Sequence, residues 1–301
     1  MGNYALWYFG ISSGSYTTRS NATPADLTNR NFGYAIALEV SEGRDVPQSG
    51  DTYTDGYNDG KVLGEWVDPK LSGRDPFLYG RGKKKRGVDY WKGWVDGVYD
   101  NTSGWQVGFY WSLESPYQTI NDRYLTKIEL DTISNYVKTS RSQVLHWIPA
   151  LGSALCCMKP TETIDQVLDA TAITTIYGDF NLVFCQPNYY QNAEIARDPT
   201  SKCSKTNRCN QLNYTYDRLL DVIKWIWNAT SNTYIELEAD RGVLGTPENC
   251  RCEIGTCCVD YACKYVQAQK DVTDSVWAQR AYYFSTEVAV IDTVRNQCSD
   301  W

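Results

Sequence analysis

The chain has 301 residues, 42% of them hydrophobic, with 36 acidic against 29 basic side chains and a formal net charge of −7. That length and apolar content suit one barrel-sized domain spanning 1–301, and the negative balance removes the electrostatic case for a nucleic-acid partner. No apolar run reaches the roughly 20 residues that a membrane-spanning helix needs, so no membrane span is expected.

In chain order, YALWYFGIS (4–12) and NFGYAIALEV (31–40) read as the first two strands. A loop rich in Gly, Asp and Tyr leads to KVLGEWV (61–67), the expected third strand. The basic run GRGKKKRG (80–87) lies among glycines and reads as a solvated loop. VDYWKGWVDGVYD (88–100) places Val88, Trp91, Val95 and Val98 at helical spacing. The fourth strand covers 105–113, ahead of a helix over 122–140 with Leu125, Ile128, Ile133 and Val137 on one side. Strand five is QVLHWIPAL (143–151), a helix covers 162–174, and strand six is FNLVFCQPNYY (180–190). An amphipathic helix over 216–230 precedes TYIELEA (233–239), the seventh strand. The cysteine-rich stretch 250–263 is expected as an elaborated loop, 271–280 as a helix, AYYFST (281–286) as strand eight, and EVAVIDTVRNQ as a closing helix. Eight strands alternating with helices predict a single-domain α/β (β/α)8 TIM barrel, with a disulfide-rich loop after strand seven. A doubly wound open sheet has less support, because no Gly-x-Gly-x-x-Gly follows the first strand.

Two buried-looking strands end on acids. In YIELEAD, Ile235 and Leu237 share one parity while Glu236, Glu238 and Asp240 share the other. Barrel strands turn their apolar set to the surrounding helices, so the acids face inward. Strand four repeats this: Phe109, Trp111 and Leu113 face out, and Tyr110, Ser112 and Glu114 face in. Glu114 and Glu238 thus fall at strand ends, where barrel enzymes place their chemistry. A carboxyl pair there suits glycoside hydrolysis, one group protonating the leaving oxygen while the other attacks or activates water. Salt bridging to Arg or Lys, or ion coordination, is the alternative role for such acids. Gln186 and Asn188 share parity at the end of strand six and suit either sugar hydroxyls or loop backbone. The one histidine, His146, sits mid-strand and reads as core, as does Trp111. A single His and no Gly-x-Ser-x-Gly leave no catalytic triad, and no phosphate loop is present, so no cofactor is expected.

All 11 cysteines lie at or after Cys156, and five fall within CRCEIGTCCVDYAC (250–263). Such density indicates disulfides in an oxidising compartment, or an intracellular protein of a hyperthermophile. The spacings do not match a zinc site and the only histidine lies elsewhere, so no metal is expected. The odd count leaves one thiol free or pairs it with another chain, which would give self-association. Sequons at Asn21, Asn101, Asn213 and Asn228 are compatible with an extracellular or cell-surface glycoprotein. The opening MGNYALWYFGIS lacks the basic start of a signal peptide and runs directly into strand-like sequence.

The blocks VGFYWSLES, VLHWIPALG, FNLVFCQPNYY and YIELEAD, in this order and with AYYFS near the end, make the chain resemble the domain-of-unknown-function family 4855 over roughly residues 4–286. The resemblance implies a glycosidase-like barrel without a fixed substrate, with Glu114, Gln186, Asn188, Tyr189, Glu236 and Glu238 inside its motifs. A strand-four acid with a strand-seven nucleophile is the arrangement of the large retaining-glycosidase clan, carried over as analogy. That clan usually places Asn before the strand-four Glu, where this chain has Leu113. The expectation is therefore a retaining glycoside hydrolase acting on a glycan. Glu114 is the acid/base and Glu238 the nucleophile, with Glu236, Gln186, Asn188, Tyr189, Tyr110 and Asp240 contacting the carbohydrate. The other class is a non-catalytic extracellular structural, surface-assembly or glycan-binding barrel, motivated by the disulfides and the 11 Trp and 23 Tyr.

Overall fold

A computed structural model describes residues 2–40, 49–71, 86–104, 106–114, 126–155, 158, 161–192, 214–246, 248, 250 and 257–301. Most of the basic run, Asn213, and Cys156, Cys157, Cys203, Cys209 and Cys252 lie outside the described residues. The chain forms two compact units, residues 2–147 with 178–182, and residues 148–177 with 183–301.

In the first unit, β1 (Gly2–Ser12) turns through Ser13 and Gly14 into β2 (Ser15–Thr18). Both turn residues have positive φ, 50° and 76°, the backbone of a hairpin whose twist matches its strands. Helix α1 (Pro24–Asn29) begins at a capping box: Thr23 accepts from Asp26 N–H, Asp26 accepts from Thr23 N–H, and proline fills the first turn. β3 (Tyr34–Glu39) then pairs in parallel with β1, from Tyr4 opposite Tyr34 to Phe9 opposite Glu39.

The stretch expected as a third strand is instead helical. α2 (Thr52–Leu71) contains 61–67 and packs along α3 (Gly87–Asp100). Gly56 and Gly60 of α2 face Gly93 and Gly97 of α3 so closely that a β-carbon at any of them would sit 2.0–2.2 Å from a carbonyl oxygen of the other helix. Backbone contact of this kind offsets the poor helix propensity of glycine, which is why a Gly-rich stretch is helix here and not loop. Buried acids cross-link the hairpin: Tyr90 donates to Asp59, and Asp96 receives Tyr53, Tyr136 and the Arg141 guanidinium.

β4 (Gly108–Trp111), α4 (Lys127–Asn135) and β5 (Val144–Trp147) complete this unit, with β4 and β5 parallel. A capping box at Thr126 and Glu129 starts α4, later than expected. The helix therefore buries Leu130 and Ile133 and leaves Ile128, expected in the core, 76% exposed.

In the second unit the helix expected over 162–174 divides. After α5 (Gly152–Leu155) come α6 (Ile164–Asp169) and α7 (Ile173–Ile176), separated where the Thr171 hydroxyl bonds back to Leu168 O. β6 (Leu182–Cys185) is followed by α8 (Tyr189–Asn192) and by α9 (Tyr216–Ala229), which buries Leu219, Val222, Ile223, Trp225 and Ile226. β7 (Thr233–Glu238) lies parallel to β6 and to β8 (Gln279–Tyr283). Between β7 and β8 the sequence reading is corrected again. From Cys257 the cysteine-rich stretch is α10 (Cys257–Thr273), and the helix expected over 271–280 ends at Thr273. Cys258, Val259, Ala262, Tyr265, Val266 and Gln269 form its buried stripe. α11 (Ala289–Arg295) closes the chain.

Strand–helix repeats run through both units, and every strand pair within a unit is parallel except the β1–β2 hairpin. The fold class is α/β, of the (β/α)8-barrel type. The strands among the described residues include β2, which was not expected, while 61–67, expected as a strand, is helical.

Among the described residues, the bridges Cys250–Cys258 and Cys263–Cys298 tie α10 to the segment before it and to the segment after α11, and Cys257 is disulfide-bonded as well. Cys185, in β6, is a buried free thiol that burial pushes far above its ordinary pKa.

Candidate active site

The expected site residues fall into both units. In the first, Tyr110 is fully buried on β4 and donates its hydroxyl to Glu114 Oε1 at 3.1 Å. Glu114 is half-buried, and the residue before it is held by Trp147 Nε1 donating to Leu113 O at 2.9 Å. Trp111 is fully buried as parity requires. His146 is buried edge-on to Tyr4, and burial alone drives its imidazole down to about 3, so it is neutral at ordinary pH.

The second unit gathers the larger set at the C-terminal end of β7. Glu236, Glu238 and Asp240 are 0%, 1% and 0% exposed. Three acids removed from water within five positions require compensating donors. Asn188 Nδ2 donates to Glu238 Oε1 at 2.9 Å, and the Tyr265 hydroxyl donates to Glu238 Oε2. Asp240 Oδ1 receives the Tyr190 hydroxyl and Gly242 N–H, both at 2.7 Å.

Asn188 is the hinge of this arrangement. Its φ of +56° lies in the left-handed region that Asn tolerates better than most residues. Its Oδ1 accepts from Gly152 N–H at 2.8 Å while its Nδ2 faces Glu238, so one amide ties α5 to the end of β7. Gln186 lies beside it, half-buried, its Oε1 3.5 Å from Asn188 Nδ2. Tyr189 turns its ring edge-on to Tyr214, Tyr261 and Tyr265, with centroids 5.2, 5.6 and 6.2 Å away.

Burial, with the charge of Glu238 second, raises the phenols of Tyr265 and Tyr214 well above the usual tyrosine range. Burial and the Asp240 carboxylate do the same for Tyr190, and burial brings Tyr189 up to about 12. These phenols therefore keep their protons throughout the physiological range and act as neutral donors. The arrangement can hold a carboxylate in one orientation.

Sequence reasoning thus found Glu238, Asn188 and Asp240 but missed Tyr190 and Tyr265, which hold the acids. Tyr190 follows directly on Tyr189. Tyr265 was detectable through the helical period of 258, 259, 262, 265, 266 and 269, which the cysteine density obscured. A groove of about 300 Å3 opens elsewhere in the second unit, lined by Asp165, Asp169, Tyr177, Trp225, Asn228 and Thr233. Thr233 begins β7 and Glu238 ends it, so the groove and the acids mark opposite ends of one strand.

No protein-family model matches the chain. The uncharacterized protein MJ0957 of Methanocaldococcus jannaschii is 32% identical over 350 residues, covering 99% of this chain and 94% of that protein. The chain belongs to the family of MJ0957. Among solved structures, the xylanase and α-amylase inhibitor protein XAIP-II of Scadoxus multiflorus has a TM-score of 0.46 and 11% identity, covering 97% of this chain and 96% of that one. A GH5_18 protein of Bifidobacterium longum subsp. infantis has a TM-score of 0.44 and 8% identity, covering 100% and 70%. A putative sugar phosphate isomerase/epimerase of Anabaena variabilis has a TM-score of 0.42 and 10% identity, covering 98% and 88%. At these scores nothing of their function carries to this chain.

Proposed function

We propose that the protein is a glycosidase-like barrel that hydrolyses a glycan with retention, using Glu238 as nucleophile and Glu114 as acid/base. The observation that carries the reading is Glu238 itself. It is a carboxylate at the C-terminal end of a barrel-type strand, removed from water, its two oxygens accepting from the neutral donors Asn188 and Tyr265. Donors to the ionised form favour it over the protonated acid, which is the state a nucleophile needs. In this reading Glu238 attacks the anomeric carbon, Glu114 protonates the departing oxygen, and Glu114 then deprotonates the water that releases the sugar. Gln186, Asn188, Tyr189 and Tyr110 are the proposed carbohydrate contacts, with Glu236 and Asp240 behind them.

The test is hydrolysis of a broad polysaccharide panel by wild type, Glu238→Gln and Glu114→Gln. Glu238→Gln keeps shape and removes charge, so turnover should fall on the order of 10³-fold or more. Product anomers followed by NMR should show retention. Wild-type turnover that survives Glu238→Gln ends the nucleophile assignment.

The enclosure of Glu238 favours a second reading, a non-catalytic glycan-binding or surface-assembly protein in which the acid only fastens α8 and α10 to β7. In that case the panel yields binding without products, and Glu238→Gln lowers thermal stability while leaving glycan binding unchanged. The disulfides support an oxidising compartment for either reading, extracellular or at the cell surface.

A further inference from the structure

Tyr265 lies mid-way along α10 and is fully buried. Its hydroxyl oxygen accepts the backbone N–H of Tyr190 at 2.8 Å. An amide N–H cannot accept, and a phenol has one proton to give. The hydroxyl proton goes to Glu238 Oε2. The other oxygen of the same carboxylate is held by Asn188, whose orientation is in turn set by Gly152 N–H. Two backbone amides, Tyr190 N and Gly152 N, thus determine through two side chains where Glu238 points.

The helix that delivers Tyr265 is fastened covalently at Cys258 and Cys263, both ahead of Tyr265 in α10. Cys258 joins Cys250, and Cys263, two residues before Tyr265, joins Cys298. The first bridge also reaches the neighbouring acid, since a β-carbon added at Gly242 would meet Asp240 Oδ1 at 2.9 Å, the Tyr190 hydroxyl at 3.0 Å and Cys250 Cβ at 3.1 Å. The Cys250–Cys258 bridge thus lies beside the Asp240 end of this polar network.

We propose that Tyr265 is a positioning residue for Glu238, holding its carboxyl in a single orientation through a hydroxyl that the Tyr190 amide and the disulfide-anchored α10 keep in place. The catalytic consequence rests on Glu238 being the nucleophile; the positioning itself is read without substrate. The titratable and charged groups around Glu238 include Glu236 and Asp240 on either side of it in sequence, Tyr283 opposite it on β8, Tyr189, Tyr190, Tyr214 and Tyr261, and Arg218, which acts on Tyr214. Burial raises the phenols of Tyr189, Tyr190, Tyr214 and Tyr283, so these stay protonated.

The experiment is a pH titration of the Glu238 carboxyl by 13C NMR on protein labelled at glutamate Cδ, with the signal assigned by its absence in Glu238→Gln. In Tyr265→Phe the midpoint should move upward by about one unit or more, because loss of a charge-assisted donor favours the protonated acid. Asp240, bonded through Tyr190, serves as the internal reference in a parallel aspartate label and should move far less. A Glu238 midpoint that is unchanged in folded Tyr265→Phe overturns the proposal. Should Tyr265→Phe fail to fold, 3-fluorotyrosine at 265 keeps the ring and makes the hydroxyl a stronger donor, and the midpoint should then move down. No movement there overturns the proposal equally. A shifted midpoint in a protein that hydrolyses nothing on the panel upholds the positioning role and rejects only the glycosidase reading.

Discussion

Replacing Gly60 by Ala tests whether α2 and α3 touch backbone to backbone. By intrinsic propensity, Gly→Ala inside a helix stabilises by about 1 kcal/mol. Here the new methyl would stand 2.2 Å from Trp94 O and 3.0 Å from Val98 N, far inside van der Waals contact. The obstacles are backbone atoms, so no side chain can swing away and the helices must separate. Overpacking of this kind costs about 1–3 kcal/mol and sometimes more, and parting the hairpin also loosens the bond from Tyr90 to Asp59. The net expectation is a loss of about 2 kcal/mol after the propensity gain is subtracted. Gly97→Ala, at 2.0 Å from Tyr57 O, should cost at least as much. Gly64→Ala, at 3.0 Å from Val98 O, should be close to neutral, and Gly178→Ala, with nothing within 4 Å, neutral or slightly stabilising. Thermal unfolding followed by circular dichroism reads the series at about 2–4 °C per kcal/mol for domains of 150–250 residues. If Gly60→Ala and Gly97→Ala melt at or above wild type, propensity alone governs the segment and the backbone contact is wrong.

Other outcomes follow from groups already placed. His146 is neutral when folded, with its pKa lowered from 6.5 to about 3. The unfolded chain therefore binds the extra proton, and this contribution to stability is present above pH 6.5 and lost as pH falls toward 3, at about 1.4 kcal/mol per unit. His146→Leu should flatten the slope between pH 6.5 and 5 by one proton in denaturant titrations, and an unchanged slope contradicts the buried neutral histidine. Removing Cys263–Cys298 by paired serine substitutions opens a loop of 35 residues, against 8 for Cys250–Cys258. Loop-closure entropy gives about 3.8 and 2.5 kcal/mol respectively, so the long-range bridge should show the larger fall in unfolding midpoint, and the reverse order would point to local strain or residual structure.

The apolar runs at 4–12 and 31–40 announced their strands because each is nearly continuous over the length of a strand, 233–239 did so through its alternation, and α9 announced itself through a strong helical period. The parity of Glu236, Glu238 and Asp240 against Ile235 and Leu237 was equally visible, and it picked out acids that are now seen to be buried. Reading failed where one residue type carries two meanings. Glycines at 56 and 60 look like a loop, and 61–67 like a strand, until a second helix with glycines at 93 and 97 lies against them. Cysteines at 257, 258 and 263 look like a stapled loop although they sit on an amphipathic helix.

Which residue holds which could not be read in the same way. Glu238 meets Tyr265 at a separation of 27 positions and Asn188 at 50, and Tyr190 meets Tyr265 at 75. Periodicity and charge are local properties, set by the geometry of a few neighbouring residues, and they extend no further than one element. Partnership between distant polar groups arises only when packing removes water from them together and each must find a donor or acceptor in what remains. Most of the strands, α3, α9 and the acids were therefore legible in the chain, while α2, α10 and the pairing of Glu238 with Tyr265 and Asn188 emerged only from the packed fold.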